Sequence, residues 1–322
     1  MKKKAAVIDM GTNTFHLILV EFCGDSFETI YKEKIPVKIG EGGISHRTIL
    51  PDAQKRAFHT LGHFHNLIQG EQIQQISAFA TSAVRNATNG LEFIKAVQQR
   101  FGFPVQVIDG DREAELIYKG IKLSGSLNEE CSLMVDIGGG SVEFIIGNER
   151  EIFWKQSFEI GGQRMLDLFH YHDPILPDEV DKLNEYLGVK LSQLLSAIIR
   201  YKPSRFVGAS GTFDTLTDIY LASDNETRHK KHYVYSIPVS DFHTIARQLL
   251  TLNKTERLEI KGMIPMRVDM IVVASCLISF ILRHITPTRL YCSTYSLKEG
   301  AIAELMQKSI SKDSPILAQQ LS

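Results

Sequence analysis

The sequence carries almost no net charge, because 36 lysines and arginines are balanced by 37 acidic residues in a chain of 322 residues. A balanced chain produces no overall electrostatic field that would attract nucleic acid or an anionic membrane. We therefore expect no nucleic-acid partner and no membrane partner, and any anionic ligand must be bound by a local group of residues. The length predicts two domains rather than one.

Cysteines and long apolar runs are scarce as well. None of the four cysteines belongs to a C-x-x-C pair, so we expect reduced residues in a cytoplasmic chain rather than a zinc site. The longest apolar run, at residues 270–282, is shorter than the roughly 20 residues that a membrane-spanning helix needs. Asp9 interrupts the apolar stretch that follows the basic first residues, so we expect no signal peptide.

Two segments repeat one pattern, in which an apolar run and an aspartate precede a turn and a second apolar run. They read VIDMGTNTFHLILVE at 7–21 and MVDIGGGSVEFIIGN at 134–148. Their alignment pairs Asp9 with Asp136, Gly11 with Gly138, Thr14 with Ser141, and His16 with Glu143. Apolar runs on both sides of a tight turn predict a β-hairpin in each segment, and the repetition predicts a duplicated fold.

The elements that follow each hairpin recur in a similar order. In the first half we predict a strand at 30–39, a helix at 52–68, a strand at 75–80, a helix at 91–101 and a strand at 105–108. In the second half we predict a strand at 151–158, helices at 162–169 and 177–200, and a strand at 205–208. The polar stretch at 221–231 predicts a surface loop.

The two glycine-containing turns are candidate phosphate-binding loops. Without Cβ atoms, the glycines at 138–140 allow several backbone N–H groups to approach one phosphate closely. If the hairpins face each other, both turns would bind one phosphate above Asp9 and Asp136. Two carboxylates would repel that phosphate unless a divalent cation lay between them, and Mg²⁺ prefers such oxygen ligands. The alternatives are an ordinary tight hairpin and aspartates that cap turns.

Several motifs together resemble one family. They are DMGTNT at 9–14, ATSAVR at 80–85, DIGGGSVE at 136–143, GASGT at 208–212, RVD at 267–269 and LKEG at 297–300. Nearly from end to end, the chain resembles the exopolyphosphatase/guanosine pentaphosphate phosphohydrolase (Ppx/GppA) family in its short two-domain form. Sugar kinases and Hsp70-like chaperones share the phosphate loops, but they lack the segment at 80–85 and the glutamate that follows it at 113.

The resemblance implies an α/β protein of two actin-like (ribonuclease H-like) domains, of the actin, Hsp70 and sugar kinase group, with an active site in the inter-domain cleft. Domain I is expected at residues 1–118 and domain II at 119–297, with the C-terminal helix at 298–322 packed back on domain I. Longer members of the family carry additional C-terminal domains, so we expect distributive hydrolysis that favours short polyphosphates. The family and the apolar helix at 270–282 also favour a homodimer.

The resemblance also implies residue roles. Glu113 is the expected general base, Arg85 the expected cation for a substrate phosphate, and Glu143 the expected water-positioning residue. Mg²⁺, or another divalent cation such as Mn²⁺, is the expected cofactor, with Asp9, Asp136 and Glu143 around it. The expected phosphate-binding residues lie in three short segments: Gly11, Thr12, Asn13, Thr14, Gly138, Gly139, Gly140, Ser141, Ser210, Gly211 and Thr212.

The implied activity is metal-dependent removal of the terminal phosphate of linear inorganic polyphosphate, which releases orthophosphate. Two alternatives stay open, namely hydrolysis of the 5′-terminal phosphate of guanosine pentaphosphate and a non-catalytic sensor that binds polyphosphate or a nucleotide. Glu113 is alternatively a solvated helical glutamate, and Arg85 is alternatively part of a structural ion pair. Four departures from the usual family pattern leave substrate preference open: Lys38, Arg112, Ser296 and Lys298.

Two other groups of basic residues have open roles. Arg267 is expected to support the second domain through an ion pair with Asp269 or a neighbouring acid. The basic run from Arg228 to His232 fits either a solvated loop or a surface that holds a polyanion.

Overall fold

The computed structural model describes residues 3–24, 26–229 and 231–313 of the chain. The first of its two sheets contains β1 (Lys4–Met10), β2 (Phe15–Cys23), β3 (Ser26–Ile35), β4 (Gln75–Ala80) and β5 (Val105–Val107). Its helices are α1 (Pro51–Gly70), α2 (Ser82–Arg85), α3 (Gly90–Phe101) and α4 (Gly110–Leu123), with a 3₁₀ turn at Ile44–His46. The strand order is β3-β2-β1-β4-β5, in which β1 to β3 are antiparallel neighbours and β4 and β5 continue parallel to β1.

The second sheet contains β6 (Ser132–Ile137), β7 (Val142–Gly147), β8 (Ile152–Phe158), β9 (Arg205–Ala209), β10 (Val234–Pro238) and β11 (Arg289–Ser293). Its helices are α5 (Gly162–Phe169), α6 (Pro177–Lys190), α7 (Ser192–Tyr201), α8 (Ser210–Ser223), α9 (Val239–Thr251), α10 (Lys254–Leu258) and α11 (Met270–Leu282). The last helix, α12 (Leu297–Asp313), follows β11. Residues 314–322 of the expected C-terminal helix, and Lys230 of the basic run, lie outside the described residues.

The two sheets have the same topology. From the hairpin edge inward, the second sheet has the order β8-β7-β6-β9-β11, which matches β3-β2-β1-β4-β5 strand for strand. Strand β10 is an addition that pairs antiparallel with β11 at the far edge. The predicted duplication and the predicted two-part α/β fold are therefore confirmed.

The central strands are apolar on both faces because helices cover both faces. In β1, Ala6 and Ile8 belong to the apolar cluster under α1 and α3, whereas Ala5 and Val7 belong to a cluster formed with α4 and α12. Residues two apart in a strand lie on the same face, so Asp9 lies with Ala5 and Val7 on the face covered by α4 and α12. The second sheet repeats this arrangement, and the alternation therefore turns both central aspartates toward the same pair of helices.

Helices α4 and α12 pack closely against each other and contribute to an apolar cluster that includes residues of both sheets, such as Val7 and Met134. The close approach of α12 to α4 requires a glycine at position 300. A Cβ atom on Gly300 would lie 1.8 Å from the backbone oxygen of Leu116. The pair of helices thus joins the two halves below the cleft.

Three boundaries differ from the predictions. The predicted single helix at 177–200 is two helices, because the backbone of Leu191 leaves helical geometry while its side chain remains fully buried. The strand predicted to reach residue 39 ends at Ile35, since Pro36 offers no N–H group to a strand ladder. Helix α8 continues to Ser223, so the predicted loop at 221–231 begins later. Among the described residues, no helix is both long and apolar enough to cross a membrane.

Candidate active site

The turns of the two hairpins are closed by the same backbone hydrogen bond. The N–H group of Gly11 donates to the carbonyl of Thr14 at 3.1 Å, and that of Gly138 donates to the carbonyl of Ser141 at 3.0 Å. Each turn directly follows the strand that carries the aspartate, so Asp9 and Asp136 lie close to their turns. The alignment made from the sequence is thus a structural equivalence.

The turns also pack against each other. A Cβ atom on Gly140 would lie 2.7 Å from Oγ1 of Thr12 and 2.5 Å from Oγ of Ser82, so this approach requires a glycine. Gly139 lies equally close to the side chain of Asn13. The expectation that the two loops face each other is therefore met in the structure.

A polar cavity opens between the facing turns. Most of the residues predicted to form the site line it: Asp9, Gly11, Thr12, Asn13, Thr14, Glu113, Asp136, Gly138, Gly139, Gly140, Ser141, Glu143 and Ser210. Ile117 lines it together with Glu113, as expected for two residues on one face of α4. Three predicted residues lie outside this lining, namely Arg85, Gly211 and Thr212.

Equivalent rows of side chains cross the two hairpins at the level of the aspartates. In the first sheet, Asp9 is paired with His16 on β2, and His16 is paired with Lys34 on β3. In the second sheet, the register pairs Asp136 with Glu143 and Glu143 with Ser157. Because directly paired residues share a face, each row extends from the aspartate to the edge strand.

Burial raises the pKa values of the cleft carboxylates. Desolvation is the main cause for Asp9, whose pKa rises to about 7, and for Asp136, whose pKa rises to about 6. Desolvation is also the main cause of the raised pKa values of Glu113 and Glu143, to which Glu143 adds repulsion at Glu113 and Asp136 adds repulsion at Glu143. The cleft therefore contains a concentration of negative charge that the protein only partly compensates.

Arg85 bridges the two sides of the cleft. Its Nη1 donates to Oε2 of Glu113 at 3.0 Å, and its Nη2 donates to Oε1 of Glu159 at 3.0 Å. Glu159 follows β8 and also accepts a hydrogen bond from Ser82 at 2.7 Å, so it connects the second half of the chain to α2. Glu159 was not among the predicted residues, and no motif in the sequence pointed to it.

Two residues that depart from the family pattern lie in the cavity lining. Ser296 donates a hydrogen bond to Oδ2 of Asp136. Lys298 is nearly buried, and its charge favours the ionised forms of both Asp9 and Asp136. The sequence marked both positions as unusual, but it gave no indication that Ser296 contacts Asp136 or that the charge of Lys298 acts on both aspartates.

Of the two partners expected for Arg267, Asp269 is wrong, whereas the neighbouring acids Asp214 and Asp136 do act on its charge. Asp269 pairs instead with Lys254 at 2.7 Å, while Arg267 lines the cavity. Only 7% of Arg267 is exposed, yet its Nε has no hydrogen-bond partner in the described part of the chain.

The structure also shows the ion pairs of Arg228. Its Nη1 lies 2.6 Å from Oδ1 of Asp214, and its Nε lies 2.6 Å from Oδ1 of Asp218. Arg228 is therefore a partly buried, ion-paired residue and not part of a solvated loop. Whether the basic run contributes to holding a polyanion stays a prediction.

The cleft carboxylates are spread more widely than a compact cluster of metal ligands. Among the described residues, one group of three has its ligand atoms within 4.8 Å of one another, and it lies at the β2–β3 turn: Glu21, Cys23 and Glu28. A Mg²⁺ ion bound by one or two carboxylates, with water and phosphate as its other ligands, does not need three protein ligands so close together.

Comparison with known sequences identifies the family. The sequence profile of the Ppx/GppA phosphatase family matches residues 19–309. The chain belongs to the Ppx/GppA phosphatase family. The resemblance inferred from the sequence motifs is thereby confirmed.

Individual Ppx/GppA relatives differ in length and in name. A guanosine-5′-triphosphate,3′-diphosphate pyrophosphatase of Vibrio cholerae is 30% identical over 305 residues, which are 94% of this chain and 59% of that protein. The chain thus spans about three fifths of that relative. A crystal structure of an exopolyphosphatase from Cytophaga hutchinsonii is 42% identical, with a TM-score of 0.92 and coverage of 95% of this chain and 98% of that chain.

A more distant Ppx/GppA structure supports the fold alone. The family member from Aquifex aeolicus is 21% identical and has a TM-score of 0.81, with coverage of 98% of this chain and 100% of that chain. The predicted fold class, two actin-like α/β domains, is confirmed by these structures and by the repeated strand order.

Proposed function

We propose that the protein is an exopolyphosphatase, which hydrolyses the terminal phosphate of linear inorganic polyphosphate and releases orthophosphate. The observation that carries this proposal is the pair of facing glycine-containing turns above buried carboxylates, with Glu113 beside them. The similarity to the Cytophaga hutchinsonii exopolyphosphatase over nearly the whole of both chains supports the same activity.

The turns would hold the terminal phosphate. Their backbone N–H groups and the hydroxyls of Thr12, Thr14 and Ser141 surround one small polar space. Ser210 begins α8, a helix of 14 residues, so its N-terminal N–H groups and partial positive charge would add to the binding of an anion. Gly211 and Thr212 belong to the same helical turn.

Glu113 would act as the general base that takes a proton from the attacking water. A carboxylate whose pKa is raised by burial accepts a proton more readily than an ordinary glutamate. Arg85 keeps Glu113 in place and lies where its guanidinium could exchange a carboxylate for a phosphate oxygen of the substrate.

The donor set fits a divalent cation. Asp9, Asp136 and Glu143 offer only oxygen ligands, which Mg²⁺ prefers, and all three line the same cavity. We propose that these three residues hold Mg²⁺, for which Mn²⁺ can substitute. When bound, the ion would neutralise charge on the phosphate oxygens.

Guanosine pentaphosphate is the second candidate substrate, because the Vibrio cholerae relative is named for a guanosine nucleotide. The same site would remove its 5′-terminal phosphate. A non-catalytic sensor is the remaining alternative, in which the turns bind phosphate but Glu113 activates no water.

Phosphate release by the purified protein with Mg²⁺ tests these possibilities. Polyphosphate and guanosine pentaphosphate are supplied separately at equal concentrations of terminal phosphate. We expect faster release from polyphosphate. A preference for the nucleotide would replace the first candidate by the second, and binding without release from either substrate would establish a sensor.

We further propose the division into residues 1–118 and 119–297, with α12 assigned to the first domain, because α12 packs on α4 and near β1. A cytoplasmic location is supported by the four free cysteines. A homodimer remains a proposal that rests on the family.

A further inference from the structure

The outer strand of the first hairpin carries two lysines on the same face of the sheet as Asp9. Lys34 is the cross-strand partner of His16, and Lys32 is the partner of Ile18, so both lysines lie on the face that carries Asp9. The intervening Glu33 lies on the opposite face, where it contacts His63 of α1 at 2.8 Å. The alternation of side chains along β3 therefore places two cations on the face of the sheet that carries Asp9 and one anion on the opposite face.

These cations are poorly compensated. Within the part of the chain that the structure describes, Lys34 has no carboxylate within 4.0 Å, and Lys32 reaches only Glu299, at 3.8 Å. The nearby acid Asp214 is already paired with Arg228 at 2.6 Å. Because like charges repel, an anion bound beside these cations would relieve their mutual repulsion.

The surroundings of Lys34 reinforce this conclusion. Burial, and then repulsion from Arg267, lowers the pKa of Lys34 to about 8, and Lys298 and Lys32 add to the repulsion while Asp214 opposes it. Lys34 therefore keeps its proton at neutral pH. Arg267 extends from the second half of the chain and is more than nine-tenths buried, and its Nε has no hydrogen-bond partner among the residues that the structure describes.

His16 does not supply this charge. Burial and the neighbouring cations hold the pKa of His16 well below its usual value, so the ring is neutral, and its Nε2 lies 3.0 Å from Oγ1 of Thr14. The row from Asp9 to the sheet edge is therefore a carboxylate, a neutral ring and a cation, in that order.

We propose that Lys34, with Lys32 beside it, binds the phosphate groups that follow the terminal one in a linear phosphate chain. This inference rests on the proposed function, which places the terminal phosphate between the two turns. The phosphate chain of the ligand would then extend outward along the row of side chains that runs from Asp9 across β2 to Lys34 on β3. The ligand is a linear triphosphate segment, which inorganic polyphosphate and guanosine pentaphosphate both contain.

Binding measurements by titration calorimetry test the proposal. The Glu113→Gln protein is used as the background, so that inorganic tripolyphosphate stays intact during the titration. Adding Lys34→Gln should raise the Kd for tripolyphosphate about tenfold, because a charge-assisted contact is lost, and should change the Kd for orthophosphate less than about twofold. Lys34→Arg should restore most of the affinity for tripolyphosphate.

The matched control is Lys182→Gln, which removes the same charge from an exposed position on α6. It should leave both dissociation constants unchanged. Lys34→Gln should keep the melting temperature of its parent, since Lys34 has no ion-pair partner among the described residues. An unchanged Kd for tripolyphosphate, or equal losses for tripolyphosphate and orthophosphate, would overturn the assignment.

The two possible sources of the triphosphate are separated by repeating the titrations with guanosine pentaphosphate. We expect Lys34→Gln to weaken both ligands, and the ligand that the parent binds more tightly identifies the source. Failure of the proposed function is distinguishable, because it appears as a lack of phosphate release by the protein with Glu113 and Lys34 intact.

Discussion

The hairpin of the first sheet and the hairpin of the second share strand order, turn hydrogen bond and cross-strand register, yet they present different chemistry to the cleft. At the position next to the aspartate, the first has His16 and the second has Glu143. At the edge strand, the first has Lys34 and the second has Ser157, which donates a hydrogen bond to Glu143 at 2.6 Å. One hairpin therefore ends in positive charge, and the other carries a second buried acid.

This difference shows how the two copies of a duplicated fold can contribute different functional groups to one site. Both hairpins keep what phosphate binding requires, which is a tight turn after a strand that carries an aspartate. The other residues of each row can differ between the hairpins, because the turn does not depend on them. Strand register alone brings them beside the aspartate. We interpret the acidic row as the side that handles water and metal, and the row that ends in Lys34 as the side that holds the substrate.

The largest effect is expected at Glu113, which lies with the acidic row. Glu113→Gln should lower kcat by about 10²- to 10⁴-fold and change substrate affinity only a few-fold, because a general base acts in the transition state. Steady-state phosphate release measures the change. The matched control is Glu115→Gln on the same helix, which removes a half-exposed carboxylate bonded to Lys155. Full activity of the Glu113 variant would remove its role as the base.

The two rows can be compared directly at equivalent positions. Glu143→Gln should lower kcat by about 10²-fold, whereas His16→Gln should lower it by less than about tenfold, because His16 is a neutral side chain on the side that holds the substrate. Parallel kinetics of the two variants provide the measurement. Equal losses of kcat would show that the rows do not differ in function.

Substitution of the aspartate should have the same effect on the Mg²⁺ requirement in both rows. Asp9→Asn and Asp136→Asn should each raise the Mg²⁺ concentration for half-maximal activity by at least about tenfold, since each removes an anionic oxygen ligand. A second readout needs no activity, because Mg²⁺ should raise the melting temperature of the parent more than that of either variant. If only one aspartate changes the Mg²⁺ requirement, the other has a structural role.

A smaller effect is expected at Glu159, which shares Arg85 with Glu113. Glu159→Gln should lower KM by about 1.4- to fivefold, because a half-exposed ion pair that competes with substrate is worth about 0.2–1 kcal/mol. The substitution keeps a polar side chain near Ser82, so the fold should be retained. A rise in KM would instead mean that Glu159 positions Arg85 for the substrate.

The smallest effect concerns stability, and it contrasts the cleft acids with a buried acid that has partners. Burial alone would raise the pKa of Glu179, but hydrogen bonds from the N–H group of Leu176, from His172 and from the N–H group of Tyr171 lower it. Because the pKa of Glu179 is lower in the folded state than in the unfolded state, its ionised form stabilises the fold at pH values above the unfolded-state pKa of 4.5. That stabilisation is lost as the pH falls through the folded-state pKa.

Glu179→Gln should therefore reduce the free energy of unfolding by about 1–3 kcal/mol at pH 7, with a smaller difference below about pH 4. Urea denaturation at the two pH values measures it. An equal loss at both pH values would show that shape, rather than charge, determines the contribution of Glu179.

Much of the site could be predicted from the sequence because its elements are local. A turn such as Gly138 to Ser141, with an aspartate just before it, is encoded by consecutive residues, and its repetition in the chain made the hairpins recognisable. The same holds for Glu113 and Ile117, whose spacing placed them on one face of α4. Boundaries were less certain, as the break at Leu191 shows, because the tertiary core rather than local propensity ends α6.

The sequence by itself determined the duplicated hairpins, the central aspartates and their turns, since these depend on short-range pattern and backbone chemistry. Only the tertiary structure decided which distant charges meet. It paired Arg228 with Asp214, connected Glu159 to Arg85, and set Lys34 in register with His16. Within the described part of the chain, it also left Nε of Arg267 without a hydrogen-bond partner. The physical reason is that charges interact through space, so their partners are fixed by strand register and by the packing of the two halves, which no local segment encodes.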